Sequence, residues 1–211
     1  MDFLLEIPNY IDELKCKDII NRFEKDKNKT PGQTSRGTHA PIKKSTDLPF
    51  VPHERNAWHD LDIYMSEKID SAYIKYVNYL KNMFGESWTP IWTRDTFYDD
   101  ILHTGYQIQR VDKGEYYKWH HDTNIIPYRV VGFIIYLNTL EEGEGGSTDF
   151  RVGHEKKTIK PETGKIIFFP STWNYVHCGK EVLTDKKSKY IATGFFILSL
   201  PPPHIMQSIY Q

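Results

Sequence analysis

Apolar residues recur at two different periods along this chain, and the change of period divides it. Over residues 9 to 25, Ile11, Leu14, Ile19, Ile20 and Phe23 return at spacings near three and four, while Asp12, Glu13, Lys15, Lys17 and Asp18 fill the other positions. That spacing predicts an amphipathic helix, with Asn9 as its cap. A second helix is predicted from about Ala57 to Phe84 on the stripe Met65, Ile69, Tyr73, Val77 and Leu80, with Gly85 placed to end it. Between the two, the stretch TPGQTSRGTHAPIKKSTDLPF (30 to 50) has no period and is rich in turn formers. It reads as a long loop that either covers a site or simply connects.

After residue 90 the pattern shortens to β-branched and aromatic runs. They are GYQIQRV (105 to 111), residues 117 to 122, RVVGFIIYLN (129 to 138), KTIKP (157 to 161), GKIIFFP (164 to 170), the stretch around His177, and KYIATGFFILSL (189 to 200). Turn signals such as GEGGS (143 to 147) and PETG (161 to 164) separate them. Strands at regular spacing after two helices predict a mainly β, α+β chain: a β-sandwich or jelly roll with helices packed on one sheet. We expect one domain over residues 1–211, with 1–90 as helical support and loop and 91–200 as the β core. The PPP at 201 to 203 is expected to form an extended tail.

Composition narrows the partners. The 27 basic and 28 acidic residues nearly cancel, which gives no electrostatic case for a membrane and disfavours a nucleic-acid partner. Cys16 and Cys178 fit neither a disulfide framework nor a C-x-x-C motif, so free thiols in a reducing compartment are expected. With no signal-peptide pattern and no long apolar span, the expectation is a soluble, cytoplasmic protein. The 14% aromatic content suits large side chains in a β core.

The chemistry concentrates in EYYKWHHDTN (115 to 124). On a strand, His120 and Asp122 project to one face and His121 to the other. One imidazole and one carboxylate are two metal ligands, although short polar pairs of this kind also arise by chance. His177, after an apolar run and Pro170, offers a third. Two histidines and one carboxylate form the facial triad of non-haem Fe(II) oxygenases, which leaves three coordination positions open. Lys189 opens an apolar run in which a cation is costly to bury without an anionic partner, such as a dicarboxylate. It equally belongs to the cluster Lys186, Lys187, Lys189 beside a turn.

The spacing Tyr117-x-x-His120-x-Asp122, then GGSTDF (145 to 150), GKIIFFPSTWNYVHCGKEV (164 to 182) and KYIATGFF (189 to 196), resembles the 2-oxoglutarate- and Fe(II)-dependent dioxygenases. The similarity is greatest to the prolyl 4-hydroxylase-like catalytic domain in its small phage and bacterial form, over residues 104 to 198. The resemblance implies a double-stranded β-helix with His120, Asp122 and His177 as the catalytic iron ligands. It implies Lys189, or Lys187 at a shorter spacing, on the far carboxylate of 2-oxoglutarate, with Thr193 on the same strand face. Many relatives have a tyrosine nine residues before the first histidine, where this chain has Val111; either Tyr106, Tyr117 or Tyr136 replaces its hydrogen bond or that bond is missing.

The cofactors implied are Fe(II), 2-oxoglutarate and O2, with ascorbate as reductant. The reaction implied is hydroxylation of a prolyl residue in a peptide or protein with release of succinate and CO2. A free amino acid, a nucleobase or another small molecule is the alternative substrate, and a non-catalytic jelly-roll binding protein the alternative class. Oligomeric state is left open, and the compartment becomes the host cytoplasm if a phage encodes the chain. Trp119, Trp173 and Tyr175 are candidates for a substrate wall or for packing. Arg36, Lys43 and Lys44 belong either to a flap over an anionic or peptide substrate or to a solvated connector.

Overall fold

The structure is a computed structural model and describes residues 2–34, 37–50, 56–85, 101–123 and 129–198. Helix α1 spans Glu13–Lys25. Its cap is Asp12, whose Oδ1 accepts the N–H groups of Leu14 (2.8 Å) and Lys15 (3.3 Å). The expectation of Asn9 is corrected: that residue sits in a turn at φ 52°, before the helix starts. Cys16, Ile19 and Phe23 form the buried face, whereas Leu14 points to solvent. Helix α2 spans His59–Phe84, after a 3-10 turn at Asn56–Trp58. It ends where Gly85 takes φ 88° and donates its N–H to the Lys81 carbonyl.

Eleven strands follow in chain order among the described residues: β1 Leu5–Ile7, β2 Thr30–Pro31, β3 Thr46–Phe50, β4 Ile101–Val111, β5 Tyr117–His120, β6 Arg129–Tyr136, β7 Thr148–Val152, β8 Glu155–Ile159, β9 Ile166–Pro170, β10 Tyr175–Gly179 and β11 Lys189–Leu198. They build a seven-stranded sheet, ordered β1-β9-β6-β11-β4-β3-β2, and a four-stranded sheet, ordered β5-β10-β7-β8. Every pairing within these sheets is antiparallel.

Side chains alternate across β6, and both faces are buried. Phe133 and Ile135 meet the helices, while Ile134 and Tyr136 meet the small sheet. On the helical side Tyr73 stacks on Phe196 at 4.0 Å and Tyr76 on Phe168 at 5.4 Å. On the other side Ile134, Tyr136, Phe150, Phe169, Tyr175 and Leu4 fill the space between the sheets. Each such side chain contributes roughly 1.5–3 kcal/mol when fully buried. The result is the expected jelly-roll sandwich with helices on one sheet. No helix among the described residues is long and apolar enough to cross a membrane.

The stretch read as a loop is largely tied down. β3 joins the edge of β4, with Leu48 opposite Ile108. Lys44 N–H donates to the Tyr116 carbonyl and Lys118 N–H to the Ile42 carbonyl, so residues 42–44 line the edge of β5. Lys43 is buried, with its Nζ 2.6 Å from Asp47 Oδ2. This segment is a strap from the large sheet to the small one, which corrects the solvated-connector reading. Arg36, the strand end at 199 to 200 and the tail at 201 to 203 lie outside the described residues.

Candidate metal centre

His177 on β10 lies directly opposite His120 on β5 in the antiparallel register, so two residues distant in sequence become neighbours. Asp122 follows in the bend after β5. Its Oδ1 is 3.8 Å from His120 Nε2, and its Oδ2 is 3.6 Å from His177 Nε2. Ligand atoms of the three residues all lie within 4.8 Å of one another.

The imidazoles are oriented from behind. His120 Nδ1 is 2.8 Å from the Lys118 carbonyl and His177 Nδ1 is 3.2 Å from the Tyr175 carbonyl. A carbonyl only accepts, so each Nδ1 carries the proton and each Nε2 turns a lone pair toward Asp122. Tyr117 stacks on His120 at 3.6 Å, and Phe150 and Phe169 pack on His177 at 5.2 and 4.9 Å. Burial, and then the neighbouring His177, hold the His120 imidazole well below the usual histidine range, so it stays neutral. Asp122 Oδ2 is buried with no hydrogen-bond partner among the described residues. Two lone pairs and a carboxylate facing one another are unfavourable unless a cation lies between them. The three residues therefore fit a divalent metal.

A cavity of about 880 Å³ opens beside the triad. Its floor follows strand parity: Gln107, Gln109 and Val111 of β4, and Lys189, Ile191 and Thr193 of β11. Lys189 is 3% exposed and has no carboxylate partner among the described residues. Its Nζ sits 5.7 Å from the Tyr136 ring, and burial pulls its pKa down to about 8. Lys187 instead pairs with Glu144 at 2.9 Å and does not line the cavity. Thr193 lines it but donates its hydroxyl to the Phe133 carbonyl at 2.8 Å.

The tyrosines separate. Tyr117 lines the cavity as a neutral phenol, its pKa pushed up to about 12 by burial. Tyr106 does not reach the cavity: it lies one parity step off on β4, buried on the helical side beside Asp62 of α2. Tyr136 lies between the sheets and donates to Thr148 Oγ1 at 2.7 Å. Tyr175 is also core, its hydroxyl accepting the Phe3 N–H, so it forms no substrate wall. Trp119 lines the mouth at 39% exposure, and Trp173, at 73%, does not.

Arg129 lines the cavity as well, its guanidinium 3.8 Å over the Phe195 ring. Sequence reasoning missed it, although it opens an apolar run in the same way as Lys189.

Residues 106–197 match the model of the 2OG-Fe(II) oxygenase superfamily. A PKHD-type hydroxylase of Synechococcus sp. (strain CC9902) is 33% identical over 73 residues, 34% of this chain and 32% of that protein, so the match spans about a third of the relative. Among solved structures, a Trichoplax adhaerens prolyl hydroxylase in complex with a hypoxia inducible factor peptide fragment superposes at TM-score 0.73 and 15% identity, covering 100% of this chain and 88% of that one. A Pseudomonas putida prolyl-4-hydroxylase gives TM-score 0.67 at 14% identity, covering 93% and 94%. The viral collagen prolyl hydroxylase of Paramecium Bursaria Chlorella virus-1, in its 2OG complex, gives 0.62 at 22%, covering 92% and 96%. At these identities the superpositions establish a shared jelly-roll fold. The match to the 2OG-Fe(II) oxygenase superfamily covers the stretch that holds His120, Asp122, His177 and Lys189, and over that stretch the chain is similar to its members.

Proposed function

We propose that the protein is an Fe(II)- and 2-oxoglutarate-dependent dioxygenase that hydroxylates an unactivated C–H bond, with a prolyl residue of a peptide or protein as its target. The observation that carries this reading is the conjunction, in one cavity, of three convergent residues able to hold a metal, with Asp122 Oδ2 unsatisfied, and a buried Lys189 without a carboxylate partner, both among the described residues. The prolyl target rests on the prolyl hydroxylases among the structural neighbours.

His120, Asp122 and His177 would hold Fe(II). With 2-oxoglutarate and O2 bound, that centre supplies the oxidising power for hydroxylation, with succinate and CO2 as co-products and ascorbate as a reductant. The chain's own contribution is orientation and exclusion of water. The Lys118 and Tyr175 carbonyls fix both histidine tautomers. Lys189 would pair with the far carboxylate of the co-substrate, and that charge pair offsets the cost of its burial. Ile134, Phe169, Ile191 and Phe195 line the cavity and keep it apolar around the polar groups.

The test is succinate release from 2-oxoglutarate with Fe(II) and ascorbate. Relative to wild type, His120→Ala and Asp122→Ala are expected to lose at least about 100-fold, since even the groups behind a metal ligand matter 10- to 100-fold. Equal turnover in all three proteins removes the assignment.

A further inference from the structure

The cavity is lined by five cationic side chains, Lys43, Lys44, Arg129, Lys180 and Lys189, and by one carboxylate, Asp122, among the described residues. Under the function proposed above, Asp122 serves the metal and Lys189 the co-substrate. Lys43 is satisfied by Asp47. Arg129, Lys44 and Lys180 remain at the mouth; the carboxylate that acts on Arg129 is Asp122, already assigned to the metal, and none is paired with Lys44 or Lys180 among the described residues. Lys44 and Lys180 are exposed and by themselves mean little, because solvated lysines are common on any surface.

The arginines are more informative. Four are described. Arg22 holds Asp18 and Asp60, and Arg110 holds Glu24 and Asp112. The other two form no ion pair of that kind among the described residues: Arg129 lines the mouth, and Arg151 stands outside the lining, beside Trp119, which belongs to it. Arg129 lies over the Phe195 ring at 3.8 Å, and Arg151 lies over the Trp119 ring at 4.6 Å. A guanidinium held over a ring by cation–π contact leaves edge donors available in the planar fork that matches a carboxylate. Arg129 is also partly buried, and the loss of water outweighs the pull of Asp122, so its guanidinium is not fully compensated.

We infer that the mouth binds an acidic peptide, with aspartate or glutamate side chains next to the residue to be hydroxylated, held by Arg129 and Arg151 and supported by Lys44 and Lys180. This inference rests on the proposed oxygenase reading and names the substrate class of the same site. A peptide fits better than a nucleic acid. Basic side chains outnumber acidic ones in the lining of this opening on a chain whose net charge is −1, whereas a polynucleotide requires a track of phosphate contacts.

The test titrates the full chain, loaded with Mn(II) and N-oxalylglycine, against two fluorescein-labelled proline-centred peptides that differ only in Glu or Gln on either side of the proline. The glutamate peptide is expected to bind about tenfold more tightly or better, as for charge-assisted pairs, with the difference shrinking at high salt. Arg129→Gln, and the double variant Arg151→Gln/Lys180→Gln, are each expected to lose most of that preference. Equal binding of the two peptides overturns the inference, as does a preference undiminished in both variants. Displacement of the acidic peptide by a single-stranded oligonucleotide at lower concentration than by unlabelled peptide also overturns it. Succinate release, measured separately, reports on the oxygenase reading alone, so the two failures are distinguishable.

Discussion

Lys189 is an ammonium group with an aromatic ring and a thiol for neighbours and no acid beside it. Its folded-state pKa, near 8, lies below the ordinary lysine value of about 10.4. Below pH 8 both the folded and the unfolded chain carry the proton, and the fold bears the full cost of a buried charge. Between pH 8 and the unfolded value the unfolded chain keeps a proton that the folded chain has released. The ligand-free fold therefore gains stability as pH rises through that window, and Lys189→Met is expected to abolish the gain in denaturant titrations. Under the proposed function, co-substrate binding is expected to have the opposite dependence, because pairing with a carboxylate requires the charged form of Lys189. The dissociation constant for 2-oxoglutarate is expected to rise about tenfold per pH unit above 8, and Lys189→Arg to flatten the rise, as read by calorimetry. That this lysine would be a buried cation in need of a partner was legible in sequence, because it stands at the head of an apolar run. That its rival Lys187 is taken by Glu144 was not, since that pairing depends on how the turn folds. Tyr106 illustrates the same limit. Its chemistry suited a co-substrate ligand, but strand register turns it to the helical side.

At the scale of elements, the helices and most strands were legible because their faces are buried over long runs, and burial imposes a period. The strap from β2 to β3 was not, because its order comes from partners elsewhere in the chain. It is held by the buried Lys43–Asp47 pair, with Ser45 Oγ donating to Asp47 at 2.7 Å. Lys43 also sits 5.5 Å over Tyr117, the ring stacked on His120, so the strap reaches the metal ligands through one aromatic side chain. Lys43→Met leaves a carboxylate buried without its cation and is expected to cost about 3 kcal/mol or more in chemical denaturation. The double variant Lys43→Met/Asp47→Leu should recover most of that loss. Mn(II) affinity is expected to fall in the single variant as Tyr117 loses its cation.

At the scale of the whole molecule, two sheets share one interior and the helices close the outer face of the larger sheet. The N-terminal segment joins these layers. Phe3 N–H donates to the Tyr175 hydroxyl, Tyr76 donates to the Phe3 carbonyl, and Tyr79 donates to the Asp2 carbonyl. Leu4, 3% exposed, fills the space between the sheets. Leu4→Ala is expected to destabilise by about 2–5 kcal/mol and to lower the melting temperature cooperatively, without a separate early transition. The sequence showed that a sandwich forms, but not that its first residues pin it, since three apolar positions carry too little pattern. The antiparallel order of the sheets has one further consequence, for biosynthesis. Because β11 is inserted between β4 and β6, a polypeptide still emerging from the ribosome cannot complete the large sheet until its last described strand is out. Until then the apolar faces of β6 stand open to chaperones or to misassociation, and the cavity beside His120, Asp122 and His177 has no floor.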